Sequence, residues 1–435
     1  MTTRRIAVTY DIAAEPAPRR SPFAQRHLRV FLVPLLVAFA IVLLAAAIAN
    51  AAGTVTDCSS DAELASAIAG GGSVTFNCGG TAQRATIALA TTQTISGVVA
   101  IDGGGNVTLT GESARRLFVV GQNARLFLQD LTLESGSTDG DGGAILNAGL
   151  LTLTNVAVRD SFAAGGGGAI ATTGPVDMRG GSLFGNQASH GGGLFASGGP
   201  AHVNVVSAAL QDNRVLGSNA PAGRGGAIHA TSSAGVDVNL SDVSSNEAES
   251  TGGGVAVDAS AAVGMIGSSV HDNHAAAGGG IMNLGGTIIL DSSTVWRNAV
   301  WVTGGGIKNE SGLALLTNVT ISGNTAFGGG GLYNYNAQAN LTNVTIAENT
   351  ADSAGGGISN SSFGAPHLAL KNVLLSGNAP GGDCYLGAAP DSSLFNVASD
   401  GTCGLGAGRD NAATALGSLG TNGGLTPTHR LRPGS

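Results

Sequence analysis

The 435-residue chain carries 71 glycines, 43% apolar residues and few aromatics. That apolar share sets aside a disordered low-complexity chain, and the glycines lack collagen's every-third period. Residues 1–51 hold six arginines and two acids; the remainder has 14 basic and 26 acidic residues, net −12, with only two lysines. No basic patch is left for nucleic acid or anionic lipid, which sets those partners aside.

The six arginines, from Arg4 to Arg29, precede an uncharged apolar run over residues 30–48 that ends in Ala49-Asn50-Ala51. Basic region, apolar stretch and small-x-small site predict a secretory signal peptide over 1–51. An uncleaved membrane anchor is the competing reading, since about nineteen apolar residues just span a bilayer. Either way the body is expected outside the cytoplasm.

Residues 52–138 read as an N-terminal cap followed by irregular early coils. Residues 61–68 pattern as a short amphipathic helix with Leu64, Ala67 and Ile68 on one face, suited to cover the open first coil. Short β runs follow over 74–76, 86–89, 98–102, 107–109 and 126–133. Four cysteines fall in two local pairs, Cys58 with Cys78 and Cys384 with Cys403. In an exported chain such spacing favours disulfides that staple the two ends, each contributing about 3 kcal/mol.

Between 139 and 378 a signature Gly-Gly-(Gly/Ala)-apolar recurs. Its apolar member is Ile145, Ile170, Leu194, Ile228, Val255, Ile281, Ile307, Leu332 and Ile358, at spacings of 25, 24, 34, 27, 26, 26, 25 and 26. The long interval predicts a loop insertion around 215–224. A second signature, aliphatic-x-x-Asn, interleaves with the first and carries Asn186, Asn213, Asn246, Asn273, Asn298, Asn324, Asn349 and Asn378; the earliest repeat has Ser161 in the Asn place. Alternating, β-branched runs between the signatures are strands. A propeller blade needs about 40 residues and leucine-rich frames are absent. A coil of about 26 residues fits three short strands and three turns, stacked about 4.8 Å apart as an all-β right-handed parallel β-helix. Glycine pairs then serve sharp turns, and Asn at one turn stacks into a ladder while tolerating the left-handed conformation.

The paired signatures resemble the repeats of polymorphic outer membrane proteins and related bacterial β-helix surface proteins, with Phe-x-x-Asn relaxed to Leu, Val or Ile. Residues 57–80 and 101–105 look like the opening segment of the same group, and 419–435 is similar to the choice-of-anchor Q domain. The resemblance implies fold and export, with localisation at the surface or outer membrane of a bacterium or outside it; the group shares no catalytic residues. Residues 379–435 then form a C-terminal cap. The element ending at Ser435 normally continues, so a truncated or freely secreted chain is expected, and no run of amphipathic strands for a translocator barrel follows.

The resemblance extends to pectin-lyase-like β-helices, which implies polysaccharide lyases and hydrolases as the alternative. Their sites need carboxylates clustered on one sheet face, and the polygalacturonase motifs Asn-Thr-Asp, Asp-Asp and Gly-His-Gly are absent. No catalytic residue, cofactor or metal is expected. His271-Asp272-Asn273-His274 is the densest polar group, read as a turn because Asn273 belongs to the ladder. Asp139, Asp141 and Asp160 read as solvated turn carboxylates. The sequons at Asn106, Asn318, Asn340 and Asn343 arise from the repeat itself. Trp296, Trp301, Phe327, Tyr333 and Tyr335 gather in three adjacent coils; Trp296 should point outward, and exposed aromatics stack on sugar rings. The expectation is a monomeric, non-enzymatic adhesion or recognition scaffold whose partners are glycans or cell-surface molecules.

Overall fold

The computed structural model describes residues 52–79, 84–217 and 223–433. The expected signal or anchor segment lies outside these residues, as does the middle of the insertion between Leu216 and Arg224. Among the described residues the chain winds into a right-handed parallel β-helix with three parallel sheets of 25, 12 and 9 strands. The coil that starts at Ile307 shows the pattern. Strand Ile307–Glu310 lies in the twelve-stranded sheet, Leu313–Thr317 and Thr320–Ser322 both lie in the 25-stranded sheet, and Thr325–Gly328 lies in the nine-stranded sheet. Each regular coil therefore has four strands rather than three, because the largest sheet bends within every coil.

Register runs unbroken through the glycine-marked positions. Ile145, Ile170, Leu194, Ile228, Val255, Ile281, Ile307, Leu332 and Ile358 stand one above another, and all are buried. Burying each such side chain stabilises by about 1.5–3 kcal/mol. The nine-stranded sheet uses smaller inward residues, with Val215, Ala248, Ala275, Val300 and Ala326 forming a separate apolar cluster.

Four turns shape each coil, and most use a residue in the left-handed region. The turn from the twelve-stranded into the 25-stranded sheet uses Ser260, Gly285, Ser311 and Asn336. The bend inside the 25-stranded sheet uses Asn155, Ser207, Leu240, Ser292, Asn318 and Asn343. The corner before the nine-stranded sheet uses Asp160, Asp212, Ser245, Asp272, Arg297 and Glu348. The ladder asparagines follow directly after these residues and are not left-handed themselves. The left-handed role expected of them therefore falls to their neighbours, which frees Asn to point inward. At the turn out of the nine-stranded sheet Gly304 has φ +72°, and a Cβ on Gly305 would lie 2.6 Å from Gly330 O and 2.7 Å from Thr325 O. Only glycine fits where backbones approach that closely.

Helix α1, Ala62–Gly70, buries Leu64 and Ile68 and packs against strands Ala52–Val55 and Gly72–Phe76. The helix covers the first coil as its pattern predicts. Disulfides join Cys58 to Cys78 and Cys384 to Cys403. After the second disulfide the chain folds back as an antiparallel hairpin, Leu416–Gly420 with Thr428–Leu431.

Candidate functional site

The inward asparagines account for most of the conspicuous polar residues. Each donates from Nδ2 to the Oδ1 of the Asn one coil on, from Asn186 through Asn378, at 2.9–3.0 Å. The row ends on buried Asp383, whose Oδ1 accepts from Asn378 Nδ2 at 2.7 Å. A carboxylate only accepts when ionised, so it terminates a chain of donors. A second buried row, Asn283, Asn309, Asn334 and Asn360, runs along the twelve-stranded sheet. Sequence reading missed it, although each member stands two places after the marked Ile or Leu. The sequon residues Asn318 and Asn343 belong to a third, exposed row with Asn372.

The aromatic candidates are in adjacent coils but on different faces. Trp296 projects from the short-strand half of the 25-stranded sheet. It stacks on His271, with centroids 4.5 Å apart, and its Nε1 donates to Ser269 Oγ at 3.0 Å. Tyr333 and Tyr335 stand on the twelve-stranded sheet, in register with the ion-paired Lys308 and Glu310. Trp301 and Phe327 lie on the nine-stranded flank, each two residues beyond the paired Ala299 and Thr325. They are 68% and 56% exposed, and Val302 beside them is 50% exposed. Trp301 meets His274 edge-on at 4.3 Å. The expected strip is thus divided among three surfaces.

His271 and His274 also diverge, one to each side of Asn273. His271 Nε2 lies 2.8 Å from Asp242 and its Nδ1 lies 2.7 Å from Asp272, while Arg297 forks onto Asp272 at 2.9 and 2.6 Å. Partial burial alone would lower the His271 pKa, but its bonds to the two carboxylates outweigh that and raise it above the ordinary value. A carboxylate at each nitrogen favours the imidazolium form, in which both nitrogens donate. Burial pushes Asp242 up, yet hydrogen bonds from His271, Ser244 and Gln211 hold it below the usual carboxylate range. Asp242, His271, Asp272 and Arg297 therefore alternate in sign over three coils. Asp139, Asp141 and Asp160 do not assemble: Asp160 sits at the corner before the nine-stranded sheet, while Asp141 accepts the Gly166 N–H at 2.6 Å near the glycine corner.

Two polar groups escaped the sequence reading. On the twelve-stranded sheet the buried His229 bonds Asp258 at 3.0 Å; from the nine-stranded side Arg224 pairs with the same carboxylate at 2.8 Å and His190 packs edge-on against Phe195. Burial first, and His229 second, push the His190 pKa down. On the long-strand half of the largest sheet, Asp177, Asn204 and Asp237 share one column. Asp177 accepts from Arg179 Nε at 2.9 Å and from Asn204 at 2.8 Å, and burial raises the Asp237 pKa against the pull of His202. Neither group shows in a one-dimensional motif, because its members are about one coil apart in sequence. Among the described residues no three His, Cys, Asp or Glu side chains gather at metal-binding spacing.

Between the two halves of the largest sheet runs a groove of about 420 Å³, lined by Ser207, Leu240, Asp242, Gly267 and Ser269 and closed at one end by Leu425, Thr426 and Pro427 of the hairpin. In comparisons with known proteins, no family model, curated protein or solved structure matches the chain.

Proposed function

We propose that the protein is an exported β-helix scaffold that recognises glycans or surface molecules and performs no catalysis of its own. The reading is carried by Trp301 and Phe327, large exposed aromatics on successive coils of an aromatic-poor chain, with exposed Val302 beside them. Contiguous exposed apolar surface of this kind marks binding sites, and flat rings suit sugar faces. Two disulfides favour an oxidising compartment outside the cytoplasm. The interleaved Gly-Gly and aliphatic-x-x-Asn repeat supports a surface protein of the polymorphic outer membrane protein type, and residues 419–435 support a choice-of-anchor Q-like end. The test is binding of the protein to a glycan array. Saturable binding that falls at least tenfold in a Trp301→Ala/Phe327→Ala double variant with an unchanged melting profile is expected; equal binding by the variant would overturn the assignment.

The column of Asp177, Asn204 and Asp237 beside Arg179 favours a second reading, a polysaccharide lyase or hydrolase. A raised carboxyl such as Asp237 suits a general acid. Cleavage of acidic polysaccharides that disappears in Asp237→Asn would replace the recognition reading, and absence of cleavage sets the enzyme aside.

A further inference from the structure

We infer that the groove inside the bend of the largest sheet is a docking track for an extended peptide containing Ser-Pro or Thr-Pro. The inference does not rest on the Trp301 surface, which lies on another face. The chain's own hairpin shows what this track holds. Thr426 Oγ1 donates to Ser292 O at 3.2 Å, and Thr294 Oγ1 donates to Pro427 O at 2.7 Å. The track thus offers a carbonyl to a hydroxyl and a hydroxyl to a carbonyl. Proline fits between them because it brings no N–H needing an acceptor, and its fixed φ keeps the segment extended.

The repeat reproduces this pair of groups one coil toward the N-terminus. Ser269 stands in register with Thr294. Gly267 is left-handed at φ +60°, as Ser292 is at φ 50°, at the same corner of the neighbouring coil. Leu425 of the hairpin packs over Gly267 beside Leu240, where a Cβ on Gly267 would lie 2.9 Å from each side chain, so an incoming peptide continues the track from Leu425 toward Ser269 and Asp242. Past Leu425 the groove continues along Asp242, Ser207 and Gly181. Ser269 Oγ accepts from Trp296, so its own hydrogen is available to donate to a proline carbonyl, as Thr294 does. In the next coil Asp242 accepts three hydrogen bonds, from His271, Gln211 and Ser244. A carboxylate has about four acceptor sites, so one remains for a peptide N–H. Gly181, Ser207, Ala208, Ala209 and Ser269 line much of the groove, which lets a peptide backbone approach the sheet there.

The probe is a fluorescein-labelled peptide of sequence Gly-Leu-Thr-Pro-Thr-His-Arg, titrated into the full chain and followed by anisotropy. Emission of Trp296 is followed in parallel, with Trp301→Phe to remove the other tryptophan. Saturable binding with a change in Trp296 emission is expected. Ser269→Ala should weaken it about fivefold, the worth of one hydrogen bond, and Ser269→Thr should restore it. Three results would overturn the inference. One is no saturation at millimolar peptide. Another is equal affinity for a scrambled peptide. The third is weakening by Thr294→Val but not by Ser269→Ala, which would mean that the probe displaces the hairpin instead of extending its track.

Discussion

At Asn298 every capacity of the side-chain amide is used. Nδ2 donates to Val270 O and Asn324 Oδ1, both at 3.0 Å, and Oδ1 accepts the backbone N–H and the Nδ2 of Asn273. All four partners are shielded from water, so removing the amide leaves them unsatisfied rather than rehydrated. Asn298→Ala is therefore expected to cost about 3 kcal/mol or more, read from the shift of the denaturant midpoint. The exposed Asn343→Gly, which keeps the left-handed backbone and whose partners can turn to water, should cost under about 1 kcal/mol. Equal effects for the two substitutions would refute the distinction.

The short-strand half of the largest sheet carries charge on its outer face, and its stability should depend on pH. The His271 pKa is raised in the folded chain, so its contribution is fully present below the ordinary imidazole value near pH 6.5 and is lost as pH rises through the raised value. Asp242 and Asp272 are lowered, so theirs is present above about pH 4 and lost as pH falls through their folded values. The two windows overlap between the carboxylate and imidazole ranges. There, amide protection over residues 242–297, taken relative to the intrinsic exchange rate at each pH, should be greatest, and His271→Gln should flatten the profile. A variant profile parallel to the wild type would show that the network does not govern this element. This face also shows what was legible in the sequence. The inward column, including Val243, Val270 and Val295, follows from alternation and the aliphatic-x-x-Asn signature. The outward partners of His271 do not, because Asp242 is 29 residues away and becomes a neighbour only once the coil length across that stretch is fixed. For the same reason Trp296 was foreseen as outward, but its stacking on His271 was not. The bend that splits the sheet depends on single residues as unlike as Leu240, Ser292 and Asn318, so no residue type announces it. The hairpin's return onto Thr294 joins residues 132 apart and has no local signature.

Across the whole molecule each coil touches mainly its two neighbours, so stability is close to a sum of coil and interface terms and the ends are where loss begins. The disulfides sit at those ends. Cys58–Cys78 ties the chain beside α1, and Cys384–Cys403 holds the last coil near Asp383, which also binds Ser399 N at 2.7 Å. Reduction should remove about 3 kcal/mol from each end. Hydrogen exchange should then accelerate first over residues 52–79 and 384–405, while 255–334 stays protected. Uniform acceleration would instead indicate a single cooperative unit. Neighbour-only pairing has another consequence. Excising residues 307–331 would bring Ile281 opposite Leu332 with all four turns still in phase. Axial reach can thus be gained or lost in increments of about 4.8 Å without any change in cross-section. The molecule behaves as a ruler whose graduations are its coils.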